Sequence, residues 1–227
     1  MAVTINGDGT ISGISVGGLP DGVVDSGTLA TNSVDSAELV NGAIDSGHLA
    51  SGVGGGWQLI TTATASNDTE IDFDGNFSTD YDYYQIRFRQ LIPATNTASI
   101  RARILIASSA KTDSNYDWSL VQVASNASTS NHSVGQAFAY VDIAPGAGNQ
   151  TGEGHSGIID IIDPLDTANY KVAQWLGQAG GTSAGYLITA NRGCMRYRSA
   201  SAWSGFRIYM SGGNLTSGEF ELYGLGK

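Results

Sequence analysis

Apolar and polar residues alternate along the stretch Tyr83-Tyr84-Gln85-Ile86-Arg87-Phe88-Arg89-Gln90-Leu91. Successive side chains of a β-strand point to opposite faces of a sheet, so the alternation predicts a strand with Tyr84, Ile86 and Phe88 on its buried side. Similar segments recur at short intervals from residue 57 to residue 225, separated by clusters of Gly, Asn, Ser and Pro. The pattern indicates an all-β domain.

No long segment of the chain has the periodicity of an amphipathic helix. Residues 57–227 are therefore predicted to form an antiparallel β-sandwich or jelly roll, which we call the head. One of its strands is predicted over residues 137–143. Three consecutive glycines, Gly54 to Gly56, mark the boundary before the head, because such a run loses too much backbone entropy to lie inside an element.

A ten-residue repeat occupies residues 24–53, upstream of the head. Its copies begin Val24-Asp25-Ser26, Val34-Asp35-Ser36 and Ile44-Asp45-Ser46, and each has a leucine five residues after the first apolar position. A single repeat buries too little apolar surface to be stable alone, whereas identical chains around a symmetry axis cover one another. The predicted contact positions are Val24, Leu29, Val34, Leu39, Ile44 and Leu49.

Residues 23–56 are accordingly predicted to form a thin stalk with a glycine hinge. The alternative is a flexible Gly/Ser linker, although linkers do not keep an apolar register. Ahead of the stalk, residues 1–22 contain two short apolar segments around Asn6-Gly7 and Asp8-Gly9, dipeptides that favour tight hairpin turns. We predict a small β-hairpin there.

Composition and charge restrict the partners of the chain. Charged residues make up 14% of the chain, against about 25% in ordinary soluble domains. The net charge is −10, and no Lys or Arg precedes Arg87, so we expect no binding to nucleic acid or anionic membranes. No apolar stretch is long enough for a membrane-spanning helix and no secretory signal opens the chain, so we expect synthesis in the cytoplasm of the producing cell. The single cysteine, Cys194, is predicted to be a small buried residue.

Several short motifs carry a family resemblance. They are the hairpin segment Thr4–Gly13, the Val-Asp-Ser-Ala-Glu-Leu type decapeptides, the Gly54–Ile60 junction and the closing segment Ser217–Leu225, which contains Leu222-Tyr223-Gly224. Together they resemble tail-fibre and related fibre proteins of tailed bacteriophages. The resemblance covers most of the chain in layout, but its motifs are short and concentrated at both ends.

The resemblance implies a homotrimeric virion fibre. Its N-terminus would attach to a tail or baseplate protein, and its head would bind a glycan or protein on the host surface. A capsid fibre or decoration protein shares this layout and remains an alternative. A tail-associated glycan hydrolase is a further alternative, although we expect no enzymatic activity, because such a hydrolase needs a long β-helix or an acidic cleft and residues 57–227 leave little room for a long β-helix.

Four arginines are candidates for receptor binding. Arg87 and Arg89 alternate with apolar residues in one segment, as Arg101 and Arg103 do in another, and a hairpin through residues 93–98 would place all four on one outward face. The acidic segment from Glu70 to Asp74 would supply counter-charges. The arrangement is compatible with an ion-paired ladder or with a cationic strip for anionic surface sugars.

Tyr116 and Trp118 follow a turn-rich stretch, and they either stack on sugar rings or fill the core. The loop 72–80 has oxygen ligands at spacings similar to a calcium loop, but Tyr83 stands where a bidentate Glu is required. His48, His132 and His155 lack zinc-site spacing, and we expect solvated or capping roles for them. We therefore expect no metal or cofactor.

Carboxylate pairs of the kind used by glycosidases are limited to a few candidates in this sequence. They are Asp160 with Asp163 or Asp166, and Asp113 with Asp117. The segments around Asp113 and Asp163 are better explained as turns.

Overall fold

The computed structural model describes residues 4–5, 7, 11–12, 56–125, 131–150, 152–180 and 188–226. The chain divides into two compact units, Met1–Leu49 and Ala50–Lys227. In the first unit, strands β1 (Thr4–Ile5) and β2 (Ile11–Ser12) pair antiparallel, which confirms the predicted pair of short strands. The predicted stalk contacts lie outside the described residues; they are Val24, Leu29, Val34, Leu39, Ile44 and Leu49.

The second unit is built from antiparallel strands, and its described residues contain no helix, so the all-β prediction is confirmed. The strands are β3 (Trp57–Asp68), β4 (Glu70–Asp74), β5 (Tyr81–Pro93), β6 (Ala98–Ile106), β7 (Ser109–Ala110), β8 (Tyr116–Ala124), β9 (Asn131–Phe138), β10 (Val141–Ala147), β11 (Gly154–Ile162), β12 (Lys171–Gly180), β13 (Ile188–Tyr197), β14 (Gly205–Met210) and β15 (Leu215–Gly226). Within the described ranges, no helix is long and apolar enough to cross a membrane.

These strands form two sheets. The large sheet has the order β3-β15-β5-β11-β12-β13-β8-β9, and the small sheet has the order β10-β6-β14-β4, with β7 paired to β6. The chain changes sheet repeatedly, since β3 and β5 belong to the large sheet while β4 and β6 belong to the small one. The predicted hairpin through residues 93–98 is therefore wrong, because β5 and β6 have no pairing with each other.

Inward-facing residues of both sheets form a single hydrophobic core. Ile86 and Trp175 contribute from the large sheet, and Ile104 and Phe206 from the small one. The predicted inward orientation of Tyr84, Ile86 and Phe88 is confirmed by their burial. Because alternation along each strand decides which residues reach the core, the remaining positions form two outward faces.

A β-bulge interrupts the alternation of β5. Continued strictly, the pattern would bury Gln90 and expose Leu91. Instead Gln90 adopts a φ of 52°, in the left-handed region, and the pairing with β11 and β15 shifts by a residue at this position. Leu91 is consequently fully buried and Gln90 exposed.

The predicted strand over residues 137–143 is wrong. It joins the end of β9 to the start of β10, which belong to different sheets. The chain bends at Ala139 and Tyr140, just after an irregularity in β9 where Ala137 has a φ of 58°. The sequence here, Ala137-Phe138-Ala139-Tyr140-Val141, is uniformly apolar or aromatic and contains no Gly or Pro that would signal the turn.

Candidate interaction surfaces

The outward face of the small sheet is a dense network of ion pairs. Arg207 on β14 makes a bidentate contact with Asp72 on β4, with Nε to Oδ1 at 2.7 Å and Nη2 to Oδ2 at 2.6 Å. Its Nη1 lies 3.3 Å from Oε1 of Glu70. The hydrogen bond to Asp72 raises the pKa of the Arg207 guanidinium against the effect of burial, so the cation is firmly held.

The network continues across β6 to β10. Arg101 lies 2.8 Å from Oδ1 of Asp142, and its guanidinium stacks 3.8 Å from the ring centre of Tyr140. Arg103 donates to the carbonyl of Ala139 at 2.9 Å and stacks on Tyr209 at 4.8 Å. We call Glu70, Asp72, Arg101, Arg103, Asp142 and Arg207 the charged lattice; it contains three acids and three arginines, of which Arg101 and Arg207 form the ion pairs.

The four candidate arginines are divided between the two outward faces. Arg101 and Arg103 belong to the charged lattice, whereas Arg87 and Arg89 lie on β5 in the large sheet. The prediction of one four-arginine patch is wrong, because it depended on the β5–β6 hairpin. Ion pairing within the sheets, the alternative interpretation, is what the structure contains. A role of these arginines in receptor binding stays a prediction.

The outward face of the large sheet also neutralises its charges locally. Arg89 pairs with Glu219 of the neighbouring β15. Nε of Arg196 lies 2.9 Å from Oδ2 of Asp117, and Nε of Arg198 lies 3.7 Å from Oδ1 of the same carboxylate. Burial alone would raise the pKa of Asp117, but its bonds to Arg196 and to the Ala137 N–H, with the charge of Arg198, lower that pKa below its usual value.

A cluster of aromatic and polar side chains lies on the same face around Arg87. The guanidinium stacks 4.1 Å from the ring centre of Tyr223 and 5.9 Å from that of Trp57. It also donates to the side chain of Gln85 at 2.7 Å, and Gln85 donates to Asp160 at 2.8 Å. The aromatic faces at this place are thus occupied by an arginine of the chain itself.

Exposed large hydrophobic side chains concentrate on this face. Ten such residues are exposed in the described part of the chain, and eight of them point outward from the large sheet. Leu176 on β12 is 54% exposed, and Ile188 on β13 is 62% exposed. The eight, which we call the apolar face, are Leu59, Val121, Val123, Ile162, Val172, Leu176, Ile188 and Leu225.

A shallow concavity of about 470 Å³ opens in the apolar face where β11, β12 and β13 pair. Its walls are the side chains of Ser156, Ile158, Leu176, Gln178 and Ala190. The floor is the backbone of Gly157 and Gly177, which pair directly across β11 and β12. The lining is mainly apolar, so the site suits a hydrophobic side chain better than a polar ligand.

Hydrogen bonds connect the turns at one end of the head. Ala94 N–H donates to the carbonyl of Asn214 at 2.8 Å, and its own carbonyl accepts from Asn149 Nδ2 at 3.2 Å. Asn214 Nδ2 in turn donates to the carbonyl of Asn67 at 2.9 Å. Thr97 N–H donates to the carbonyl of Ala147 at 2.7 Å. These bonds hold neighbouring turns in a fixed arrangement.

Tyr116 and Trp118 are core residues. Tyr116 is completely buried and Trp118 is 8% exposed. The Tyr116 hydroxyl accepts from the Ile104 N–H at 3.1 Å, which links the two sheets, and donates to the carbonyl of Lys111 at 3.0 Å. Sugar stacking at these residues is therefore wrong, since no ring face is open. The alternation Tyr116-Asp117-Trp118-Ser119-Leu120 already indicated burial.

The carboxylates considered for catalysis have structural contacts. Asp113 accepts from the Tyr197 hydroxyl at 2.8 and 2.7 Å, and Asp166 accepts from the Ala168 N–H within its own turn at 2.6 Å. Asp160 accepts from the side chains of Gln85 and Gln174. The turn at Asp163 is closed by the Asp166 N–H, as predicted. These bonds favour structural roles for the carboxylates.

The loop 72–80 and the histidines were considered as metal ligands in the sequence. Asp72 lies on β4 rather than in a loop, and Arg207 donates hydrogen bonds to it. Within the described residues, no group of three or more His, Cys, Asp or Glu side chains could hold a metal ion. His155 is 1% exposed on β11, so a solvated role for it is wrong, while His48 and the side chain of His132 lie outside the described residues.

Cys194 was expected to be buried, and that prediction is wrong. It lies on β13 with its side chain outward, between Gln174 and Ser119 of the neighbouring strands. Gly193 and Met195 face the core instead, because the buried ring of Trp175 covers Gly193. The sequence carries a signal for this orientation, since Cys194 stands in phase with Arg192 and Arg196.

Sequence reasoning missed Arg207 and the apolar face. Arg207 lies between Phe206 and Ile208, in the same alternation that drew attention to the other arginines. The signal for the apolar face is the strand Lys171–Gly180, where Val172 and Leu176 stand out of phase with the core residues Ala173 and Trp175. No family model, curated protein or solved structure matches this chain.

Proposed function

We propose that this chain is a structural, non-catalytic virion fibre. In this proposal it is a homotrimeric phage tail fibre in which residues 1–22 attach to a tail or baseplate protein and residues 23–56 form the stalk. The head, as a β-sandwich or jelly roll, binds a glycan or protein on the host surface. The sequence resemblance motivates this proposal, and the antiparallel sheets with a shared core support it.

The observation that carries the proposal is the position of the turns relative to the point where the chain enters the head. Trp57 pairs with Leu225 at one end of the large sheet, which we call the near end. Asp68, Pro93 and Gly180 lie at the opposite end, the far end. A stalk joined at Trp57 would carry the far end outward, where turns on a rigid scaffold suit recognition.

The hydrogen-bonded turns described above belong to this far end. Turns that are already ordered lose little conformational entropy on binding, so they can recognise a fixed surface feature efficiently. Three heads on one fibre would then strengthen a weak contact through effective concentration. We therefore expect host binding to depend on the far end and on trimerisation.

The far end can be tested with a matched pair of substitutions. Thr95 lies in the exposed turn between β5 and β6 at the far end, and Thr167 lies in an exposed turn before β12 at the near end. Labelled full-length protein would be incubated with a panel of candidate host bacteria, and retained label measured. We expect Thr95→Arg to reduce retention at least about tenfold and Thr167→Arg to leave it unchanged, as for a contact at an interface centre.

The outcomes separate the alternatives. Equal retention of both variants would contradict recognition by the far end. Absence of adhesion of the unaltered protein, with labelled protein located on capsids by electron microscopy, would support the capsid fibre or decoration protein. New reducing ends after incubation with host polysaccharide would instead identify a glycan hydrolase.

The trimer is tested through the predicted stalk. Leu39→Asp would force three carboxylates together on the symmetry axis, where losing water is costly. We expect the mass measured by light scattering to fall from trimer towards monomer. Thr28→Asp, at a position that is polar in every repeat, is the control and should remain trimeric. A Leu39→Asp variant with unchanged mass would contradict the stalk.

A further inference from the structure

The apolar face is unusual for the exterior of this head. Eight of ten exposed large hydrophobic residues in the described part of the chain lie there, while the other two, Phe138 and Tyr170, lie outside it. Single exposed hydrophobic residues are normal, but a grouping of this size on one face marks an interaction surface. The apolar face therefore needs an occupant.

Charge identifies the kind of occupant. The whole chain carries a net charge of −10, so two copies repel each other unless they meet through a neutral region. Among the described side chains, the outward positions of the large sheet carry as many arginines as acids. The arginines are Arg87, Arg89, Arg192 and Arg196, and the acids are Asp117, Asp160, Glu219 and Glu221. Such a locally neutral face allows another copy of this acidic chain to approach.

The available area matches a stable protein interface. Neighbouring strands are about 4.8 Å apart, so the eight strands of the large sheet span roughly 38 Å. Outward residues repeat about every 7 Å along a strand, and four of them extend roughly 20 Å. The product of roughly 800 Å² equals what one partner contributes to a standard interface. A small ligand would leave most of this face exposed.

The shape agrees with a protein partner. The concavity beside Leu176 accepts an apolar side chain, and residues such as Ile188 and Leu59 protrude elsewhere on the same face. A face that carries both a socket and protruding side chains can contact its copies around a three-fold axis, with a protruding side chain of one head entering the socket of the next. In the Arg87 cluster the guanidinium lies 4.1 Å from the ring centre of Tyr223, so that ring face is not open for stacking on a sugar.

We propose that the apolar face of the large sheet is the contact between heads of identical chains, so that its occupant is a second copy of this chain. This inference rests on the proposed homotrimer and adds the residues by which the heads would associate. In each head, Leu176, Val121 and Val172 become buried against the neighbouring copy. The charged lattice of the small sheet remains in solvent.

Cys194 provides a reporter for this contact. It is the only cysteine of the chain, and it points outward from β13 within the area of the apolar face. The rate at which a maleimide reagent modifies Cys194 would be measured in full-length protein and in the same protein unfolded in urea. We expect the native rate to be at least about tenfold lower, because a neighbouring head covers the thiol.

Two substitutions of equally exposed residues make the test specific. Leu176→Arg places a charge in the contact and is expected to raise the native rate towards the unfolded rate. Tyr170→Arg changes a residue that is 55% exposed but lies outside the face, and it should keep the protected rate. Val121→Arg repeats the test on β8 in case Leu176→Arg does not fold.

Mass measurements on the same samples separate this inference from the proposed function. A trimeric mass with Cys194 modified at the unfolded rate overturns the head contact and leaves the fibre proposal standing. A monomeric mass overturns the proposed trimer and removes the neighbour that the head contact needs. Cys194 could instead stay protected from the maleimide after the protein is diluted to monomer, or in folded Leu176→Arg and Val121→Arg variants. Either result would show that the chain itself covers the thiol, and it would also overturn the inference.

Discussion

The two outward faces of the head differ in whether their side chains have contact partners within the same chain. On the small sheet, three arginines and three acids bind one another or stack on tyrosines, and none of the exposed large hydrophobic residues among those described lies there. On the large sheet, ion pairs stand beside Leu, Val and Ile side chains that have no cover. The small-sheet face is complete in one chain, whereas the large-sheet face is not.

This difference concerns the use of each face rather than the stability of the fold. A self-contained ion network contributes little to association, because its charges are already paired and hydrated. An uncovered apolar area gains free energy whenever it is removed from water, at about 25 cal/mol per Å². The small sheet is therefore the solvent side of the head, and the large sheet is the side with free energy available for association.

The largest expected effect follows from the packing beneath the apolar face. Gly193 lies under Trp175, and a Cβ at residue 193 would stand 2.2 Å from the indole ring and 2.5 Å from the Ser119 carbonyl. Gly193→Ala would force the β12–β13 pair apart, and we expect the free energy of unfolding to fall by about 3 kcal/mol. Urea unfolding followed by tryptophan fluorescence measures it.

Gly212→Ala is the matched control for this substitution. A Cβ at Gly212 meets nothing within 4 Å, and we expect a change within about 0.5 kcal/mol. If Gly193→Ala were equally harmless, Trp175 would not lie against Gly193. The packing beneath Leu176 and Cys194 would then be looser than the structure shows.

The second prediction uses pH to distinguish the two sheets. His155 is buried at the core side of the large sheet, and its Nε2 has no hydrogen-bond partner. Burial lowers its pKa to about 4, below the ordinary value of 6.5. The stability due to neutral His155 is complete above pH 6.5 and is lost as the pH falls towards 4, by about 2 kcal/mol at pH 5.

The charged lattice contains no histidine, and histidine is the side chain whose ordinary pKa lies between pH 5 and pH 7. His155→Leu should therefore abolish most of the loss of stability between pH 7 and pH 5, as measured by thermal unfolding at each pH. Asp72→Asn, which alters the lattice, should leave that loss in place. An unchanged pH dependence in His155→Leu would show that another group titrates there.

Local alternation was sufficient to predict much of the fold. It assigned Tyr84, Ile86 and Phe88 to the core, and it identified the chain from residue 57 onward as all-β. These features depend only on the two-residue period of a strand. Local alternation does not predict the bulge at Gln90, because the bulge depends on the pairing of β5 with β11 and β15.

The interaction surfaces were less predictable, because they depend on which strands are neighbours. Arg89 pairs with Glu219, and Arg207 with Asp72, across more than a hundred residues of sequence. A short connection between β5 and β6 looks the same whether the strands form a hairpin or cross between sheets. The outward phase of β13 is marked in the sequence by Arg192 and Arg196, but which strands lie beside β13 is not.

The smallest expected effect compares one ion pair from each face. Arg207 and Asp72 in the charged lattice have side chains 23% and 31% exposed, and they meet in a bidentate geometry. A double-mutant cycle with Arg207→Met and Asp72→Asn should give a coupling free energy of about 1 kcal/mol.

Arg89 and Glu219 on the large sheet are 64% and 51% exposed, and water and salt screen such a pair. The cycle with Arg89→Met and Glu219→Gln should therefore show no measurable coupling in dissociated protein. If the heads associate through the apolar face, coupling at this second pair should appear only in the trimer, where the neighbouring copy excludes water. Equal coupling at both pairs in the monomer would mean that the two faces satisfy their charges in the same way, and the contrast between them would rest on the apolar residues alone.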